Sequence, residues 1–79
     1  MDNLEKLKKV FFRALNLSEN TVVESLEYES VKNWDSVAHM KLISDLETKF
    51  EVMIDTMDVI DMSSFKKAQE ILSKYGIVF

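Results

Sequence analysis

The chain has no proline and one glycine, Gly76, in 79 residues. Almost nothing in it enforces a break, so hydrophobic periodicity has to set the elements. That periodicity is helical. Leu4, Leu7, Phe11 and Ala14 fall on one stripe with Val10 and Leu15 beside them, and Asp2 followed three places later by Glu5 makes a capping-box variant at its start. The spacing predicts a helix over 3–16. A second stripe runs Val37, Met40, Ile43, Leu46 and Phe50 with Leu42 alongside, while Lys41, Asp45, Glu47 and Lys49 take the other side; it predicts a helix over 36–50. A third reads Phe65, Ala68, Ile71, Leu72 and Tyr75, opened by Ser63 or Ser64 as N-cap and closed by Gly76 in a left-handed position. It predicts a helix over 64–75.

Between the second and third stripes, residues 55–61 carry turn-like acidic punctuation and predict one short helix. The connection from Leu17 to Trp34 is long for so small a domain, yet it holds Val22, Val23, Leu26, Tyr28, Val31 and Trp34. Such a loop is functional, or is packed down by its own apolar residues. There are no repeats and no linker, and an extended tail at Ile77-Val78-Phe79 is the one strand-like feature. The expectation is a single all-α domain over 1–79, a four-helix bundle of three longer helices and one short one, with the long loop between the first two.

A chain of this length buries roughly 60% of its unfolded surface, which disfavours a deep enzyme cleft. Without cysteine there is neither a disulfide framework nor a thiolate metal site, and the composition suits a reducing cytoplasm. The first residues lack a long apolar run after a basic start, and nowhere is there a continuous apolar run of the roughly 18 residues that would span a bilayer. A cytoplasmic location follows as the expectation.

The net charge of −4 argues against nucleic acid as a partner, because neutralising phosphates takes a cationic surface. The distribution is uneven. Lys6, Lys8, Lys9 and Arg13 outnumber Asp2 and Glu5 in the first helix, whereas Glu51, Asp55, Asp58 and Asp61 follow one another with no base among residues 51–63. That acidic flank either draws basic partners or is a solvated face. As a calcium loop it fails, since the alternate-residue ligands, turn glycine and terminal glutamate are missing; no metal site is expected.

The run Asn33-Trp34-Asp35-Ser36-Val37 stands where irregular chain meets the second helix. Asp35 or Ser36 can serve as that helix's N-cap. A catalytic serine is disfavoured: His39 is close on the helix surface, but Asp35 adjoins Ser36 in sequence and is poorly placed to orient the imidazole, and there is no glycine-rich elbow. A lone histidine is more often a surface or satisfied boundary residue. The third possibility is an attachment point, because a phosphodiester on Ser36 would face the free N–H groups and positive dipole end of the helix. Nothing near Ser36 would deprotonate it, so the activating group must come from another enzyme.

Asp35-Ser36-Val37, followed by Met40, Leu42, Ile43, Leu46, Glu47 and Phe50, resembles the Asp-Ser-Leu motif and second helix of acyl carrier proteins. Phe50-Glu51-Val52-Met53-Ile54-Asp55 resembles the turn leading into that family's short third helix, and the likeness extends over essentially the whole chain. The resemblance implies that a phosphopantetheinyl transferase, using coenzyme A and magnesium, joins 4′-phosphopantetheine to Ser36. Asp35 would take part in transferase and metal recognition. The arm's thiol would then carry acyl or aminoacyl groups as thioesters between a loading ligase or transferase and downstream biosynthetic enzymes. The chain would be a monomeric carrier and a substrate of enzymes, not a catalyst. Val37 and Met40 would be contact residues, although their place on the stripe favours the core; Trp34, Lys41, Asp55 and Asp58 are further expected contacts. Trp34 also has the commoner role of packing the loop down.

The chain departs from the family pattern at Asn33, where glycine is common; asparagine can reach left-handed angles and so keep the turn. Valine replaces leucine at 37. Lys41 and Lys49 offset Asp45 and Glu47 on a helix that is strongly acidic in fatty-acid carriers, while acidity has moved to Glu19, Glu24, Glu27 and Glu29 and to residues 51–61. This points to a specialised carrier for a polyketide, aminoacyl or cell-surface sugar pathway. The five methionines would let the core adapt to an acyl chain, or simply fill gaps. The competing reading is a non-enzymatic helical interaction module in which Ser36 is only a helix cap.

Overall fold

The computed structural model describes residues 2–28 and 33–79. The expectations for Glu29 and Val31 lie outside the described residues. Four helices follow in order: α1 (Asn3–Ala14), α2 (Ser36–Phe50), α3 (Thr56–Asp61) and α4 (Phe65–Lys74), with a single 3-10 turn at Val23–Ser25 in the long connection. Among the described residues there is no strand, and no helix is long and apolar enough to cross a membrane.

Each helix begins at a side chain that accepts a first-turn N–H: Asp2 from Glu5, Asp35 from Ala38, Asp55 from Met57 and Ser64 from Lys67. Their ends are equally local. α1 stops two residues before the expected boundary because Asn16 turns left-handed, with φ 51°, directly after Leu15, whose N–H makes the last helical bond to Phe11 O. α4 ends before Gly76, whose φ of +92° suits a residue without a Cβ. α2 ends at Glu51, also left-handed at φ 55°, where the Glu47 carboxylate reaches forward to accept the Ile54 N–H at 2.9 Å.

The core is built from the three long stripes. Leu7, Val10, Phe11, Ala14 and Leu15 meet Leu42, Ile43, Leu46 and Phe50, and Phe65, Ala68, Ile71 and Leu72 close over them. The long connection is indeed packed down. Val23, Leu26 and Trp34 are buried in the same core, and Lys8 pairs with Glu24 at 2.8 Å to hold the 3-10 turn against α1. Leu26 and Tyr28 also pair with the chain entering α4: Tyr28 N–H donates to Ser63 O at 2.7 Å and Phe65 N–H to Leu26 O at 3.0 Å. The tail forms no strand; Val78 O accepts from Asn3 Nδ2 at 2.9 Å and the Phe79 ring meets Phe50 edge-on.

Two expectations about the core are corrected. Val37 and Met40 continue the α2 stripe but are 78% and 61% exposed, so the stripe is left uncovered at the start of α2. Methionine is not the filler of this core either: Met62 is buried, whereas Met40, Met53 and Met57 are exposed.

Candidate functional site

Ser36 is the first residue of α2, and the cap is Asp35. Asp35 Oδ1 accepts from Ala38 N–H at 2.9 Å, and the extended backbone of Asp35 (φ −106°, ψ −173°) delivers the chain into the helix. The reading of Ser36 as the cap is therefore corrected. Its hydroxyl is exposed and makes no hydrogen bond among the described residues. The N–H groups of Ser36 and Val37 likewise have no acceptor there, as expected for the first turn of a helix.

The turn that presents Ser36 is fixed from behind. Asn33 Nδ2 donates to Asn16 O at 3.0 Å, tying the turn to the end of α1. The Asn33 side chain thus secures the turn. Trp34 follows and is fully buried, so it presents nothing to a partner. That expected contact is corrected: its ring stands edge-on to Phe11 (5.5 Å) and Tyr28 (6.0 Å) and stacks on His39 (6.1 Å). A side chain with this much apolar area goes to the core when its one polar group can be satisfied.

His39 satisfies it. Trp34 Nε1 donates to His39 Nδ1 at 3.0 Å, and His39 Nε2 lies 2.8 Å from Val59 O. An indole N–H can only donate and a carbonyl can only accept, so the ring must be the neutral tautomer protonated on Nε2. Both nitrogens are engaged, leaving His39 no lone pair for the Ser36 proton. It is the satisfied boundary histidine expected, with a task that sequence reasoning missed: it joins the Trp34 turn, α2 and α3. His39→Leu is expected to cost about 2 kcal/mol by leaving the buried Trp34 N–H without an acceptor. In a Trp34→Phe background the same change should cost clearly less, since the donor is gone; urea denaturation of the four proteins checks this.

Beside Ser36 lies a groove of about 360 Å³ between α2 and α3, lined chiefly by Tyr28, His39, Met40, Val59, Ile60 and Met62. Of its lining residues Met40 and Ile60 are largely exposed, and Val37 and Met57 are further exposed apolar residues of α2 and α3. A larger concavity, about 580 Å³, sits between α1 and α2 and does not include Ser36.

The acidic candidates separate into different jobs. Asp55 is the exposed N-cap of α3, accepting from Met57 N–H at 3.1 Å. Asp58 is tied internally, its carboxylate accepting from Lys74 Nζ at 2.6 Å and from Tyr75 Oη at 2.7 Å, so its expected role as a free contact is not what its geometry offers. Tyr75 Oη in turn accepts from Asp55 N–H at 2.9 Å. Lys41 is exposed and pairs with Asp45 one turn on, at 3.2 Å. Among the described residues no three of His, Asp and Glu converge to hold a metal.

The Lys74 ammonium, then the Tyr75 hydroxyl, holds the Asp58 carboxyl below the ordinary carboxylate range. A carboxylate with a lowered folded pKa stabilises the fold at pH values above its ordinary value near ~4 and loses that contribution as pH falls through the folded value. Asp58→Asn is therefore expected to lower the Tm at pH 7, with the gap to the parent protein narrowing as pH falls below the ordinary carboxylate value. Thermal melts across that range test it.

Compared with known proteins, the chain matches no family model, no curated protein and no solved structure.

Proposed function

We propose that this protein is an acyl carrier, with 4′-phosphopantetheine attached to the Ser36 hydroxyl and the helices arranged as in that family. The observation that carries the reading is the division of labour at the start of α2. Asp35 performs the capping, so the neighbouring serine has no structural duty and stands exposed beside an apolar groove. A helix cap alone does not account for the second residue of the pair.

The residues fit the group chemically. Attack by Ser36 Oγ on the β-phosphorus of coenzyme A forms the new phosphate ester and breaks the pyrophosphate bond, releasing adenosine 3′,5′-bisphosphate; the serine proton passes to the transferase, as no described residue of this chain is placed to take it. The product phosphodiester would lie at the free Ser36 and Val37 N–H groups, at the positive end of the α2 dipole. Asp35 stays on the exposed side of the turn, where a transferase and its magnesium could meet it. When attached, the arm supplies a terminal thiol on which acyl groups are held as thioesters. Val37, Met40, Met57 and Ile60 offer apolar surface to the enzymes that load and use it, and burial of such surface contributes about 25 cal/mol per Å².

A specialised pathway remains the preferred setting, on the mixed charge of α2 through Lys41, Asp45, Glu47 and Lys49. The test is intact-protein mass after incubation with coenzyme A, magnesium and a broad-specificity phosphopantetheinyl transferase, with peptide fragmentation to place the modification. One phosphopantetheine on Ser36 is expected. No gain with two different transferases, on protein shown to be folded, would reject the proposal.

A further inference from the structure

The flank of α2 turned away from Ser36 has a different chemistry. The 580 Å³ concavity between α1 and α2 is lined by Lys9, Arg13, Lys41 and Lys49, with Asp45 and Glu51 the only carboxylates among its lining residues. Lys9 and Arg13 are one turn apart on α1, and Lys41, Asp45 and Lys49 are successive turns of α2, so two charged rows face each other across a floor that includes Val10. All four cations are exposed.

Lys8, Lys67 and Lys74 each have a carboxylate partner elsewhere on the surface. Within the groove Lys41 pairs with Asp45, whereas Lys9, Arg13 and Lys49 have no ion pair among the described residues. Outside the groove Lys6 and Lys66 also lack an ion pair among the described residues, so what distinguishes the groove is that its cations converge on one concavity. Arg13 and Lys49 sit in the last turns of their helices, where the dipole favours a cation, but Lys9 and Lys41 have no such reason for their positions. The protein as a whole carries −4, so this positive concavity is set in a negative molecule. Like charges facing one another are unfavourable until opposite charge arrives from outside.

We propose that this groove is a docking surface for an extended acidic segment of a partner protein, separate from the Ser36 face. The α2 row from Lys41 to Lys49 spans about 12 Å, the length of roughly four extended residues, in which alternate side chains point the same way. A segment with two or three carboxylates in such a stretch can address both rows. A flat anionic membrane cannot follow a concave floor, and the acidic remainder of the surface opposes both membranes and nucleic acid.

Acetylated hexaglutamate and vesicles containing phosphatidylglycerol are the probes, titrated into isotope-labelled protein with amide shifts recorded. The peptide is expected to shift residues 9–13 and 41–49, and to bind at least tenfold more weakly at about 200 mM than at about 20 mM salt. Lys9→Glu with Lys49→Glu should abolish those shifts, and Lys9→Arg with Lys49→Arg should retain them. Ser36→Ala should change nothing, so this surface stands or falls independently of the carrier reading. Shifts spread equally over Lys66, Lys67 and Lys74, no shifts at all, or tighter binding to the vesicles than to the peptide would each overturn the proposal.

Discussion

Ser36→Ala is expected to abolish modification by the transferase while leaving stability within about 0.5 kcal/mol of the parent, because the hydroxyl contributes no hydrogen bond to the fold. Asp35→Ala should behave in the opposite way. It removes the acceptor of the Ala38 N–H and should cost about 1 kcal/mol, while the Ser36 hydroxyl remains present and modifiable, at a reduced rate if Asp35 meets the transferase's metal. Denaturation curves and modification rates of the two variants, measured side by side, separate the roles. If Ser36→Ala proved as destabilising as Asp35→Ala, the serine would have a structural duty and the argument for an attachment site would fail.

Trp34→Ala should remove a large share of the protein's stability. Removing a buried aromatic of this size costs about 3–5 kcal/mol, and a chain of 79 residues has only about 4–12 kcal/mol in total. The loss is spread over several elements. Phe11 on α1 packs against both Trp34 and Phe65 of α4, at 5.5 and 4.9 Å, and His39 on α2 loses its donor, so α1 and α2 lose a shared neighbour and the ring that bears on α4 loses support. Circular dichroism under urea is the suitable readout, since Trp34 is the only tryptophan and its fluorescence disappears with it. A midpoint close to that of the parent would mean that the indole is not the centre of the core.

These two predictions also show what the sequence could reveal. The helices were legible because stripes such as Leu7, Phe11 and Ala14 or Phe65, Ala68 and Leu72 recur at the helical period, and because Asp2, Ser64 and Gly76 mark ends by local chemistry that needs no tertiary information. The exposure of Val37 and Met40 was not legible. Periodicity identifies a face, but whether another element covers that face is decided by tertiary packing. The position of Asn16, which ends α1 and anchors Asn33, is a tertiary fact of the same sort. At the candidate site, Asp35 and Ser36 could be picked out but not told apart as cap and free hydroxyl. The bond from Trp34 to His39 had no sequence signal, because Trp34 lies outside the helix and no fixed spacing relates the two residues.

The smallest helix carries a further consequence. No residue of α3 is buried, yet Ile54 before it and Met62 after it are both fixed in the core. Polar links do much of the work in between: Val59 O to His39, Asp58 to Lys74 and Tyr75, and Asp61 to Lys67. Water can compete for each of these links, so the segment can swing out like a strap fastened at both buckles while the core stays shut. Its amide protons should then exchange with solvent through small openings whose frequency does not depend on denaturant, well before those of α1 or α4. The floor beside Ser36 would be the part of the molecule that breathes, and its apolar groove would widen without the bundle coming apart.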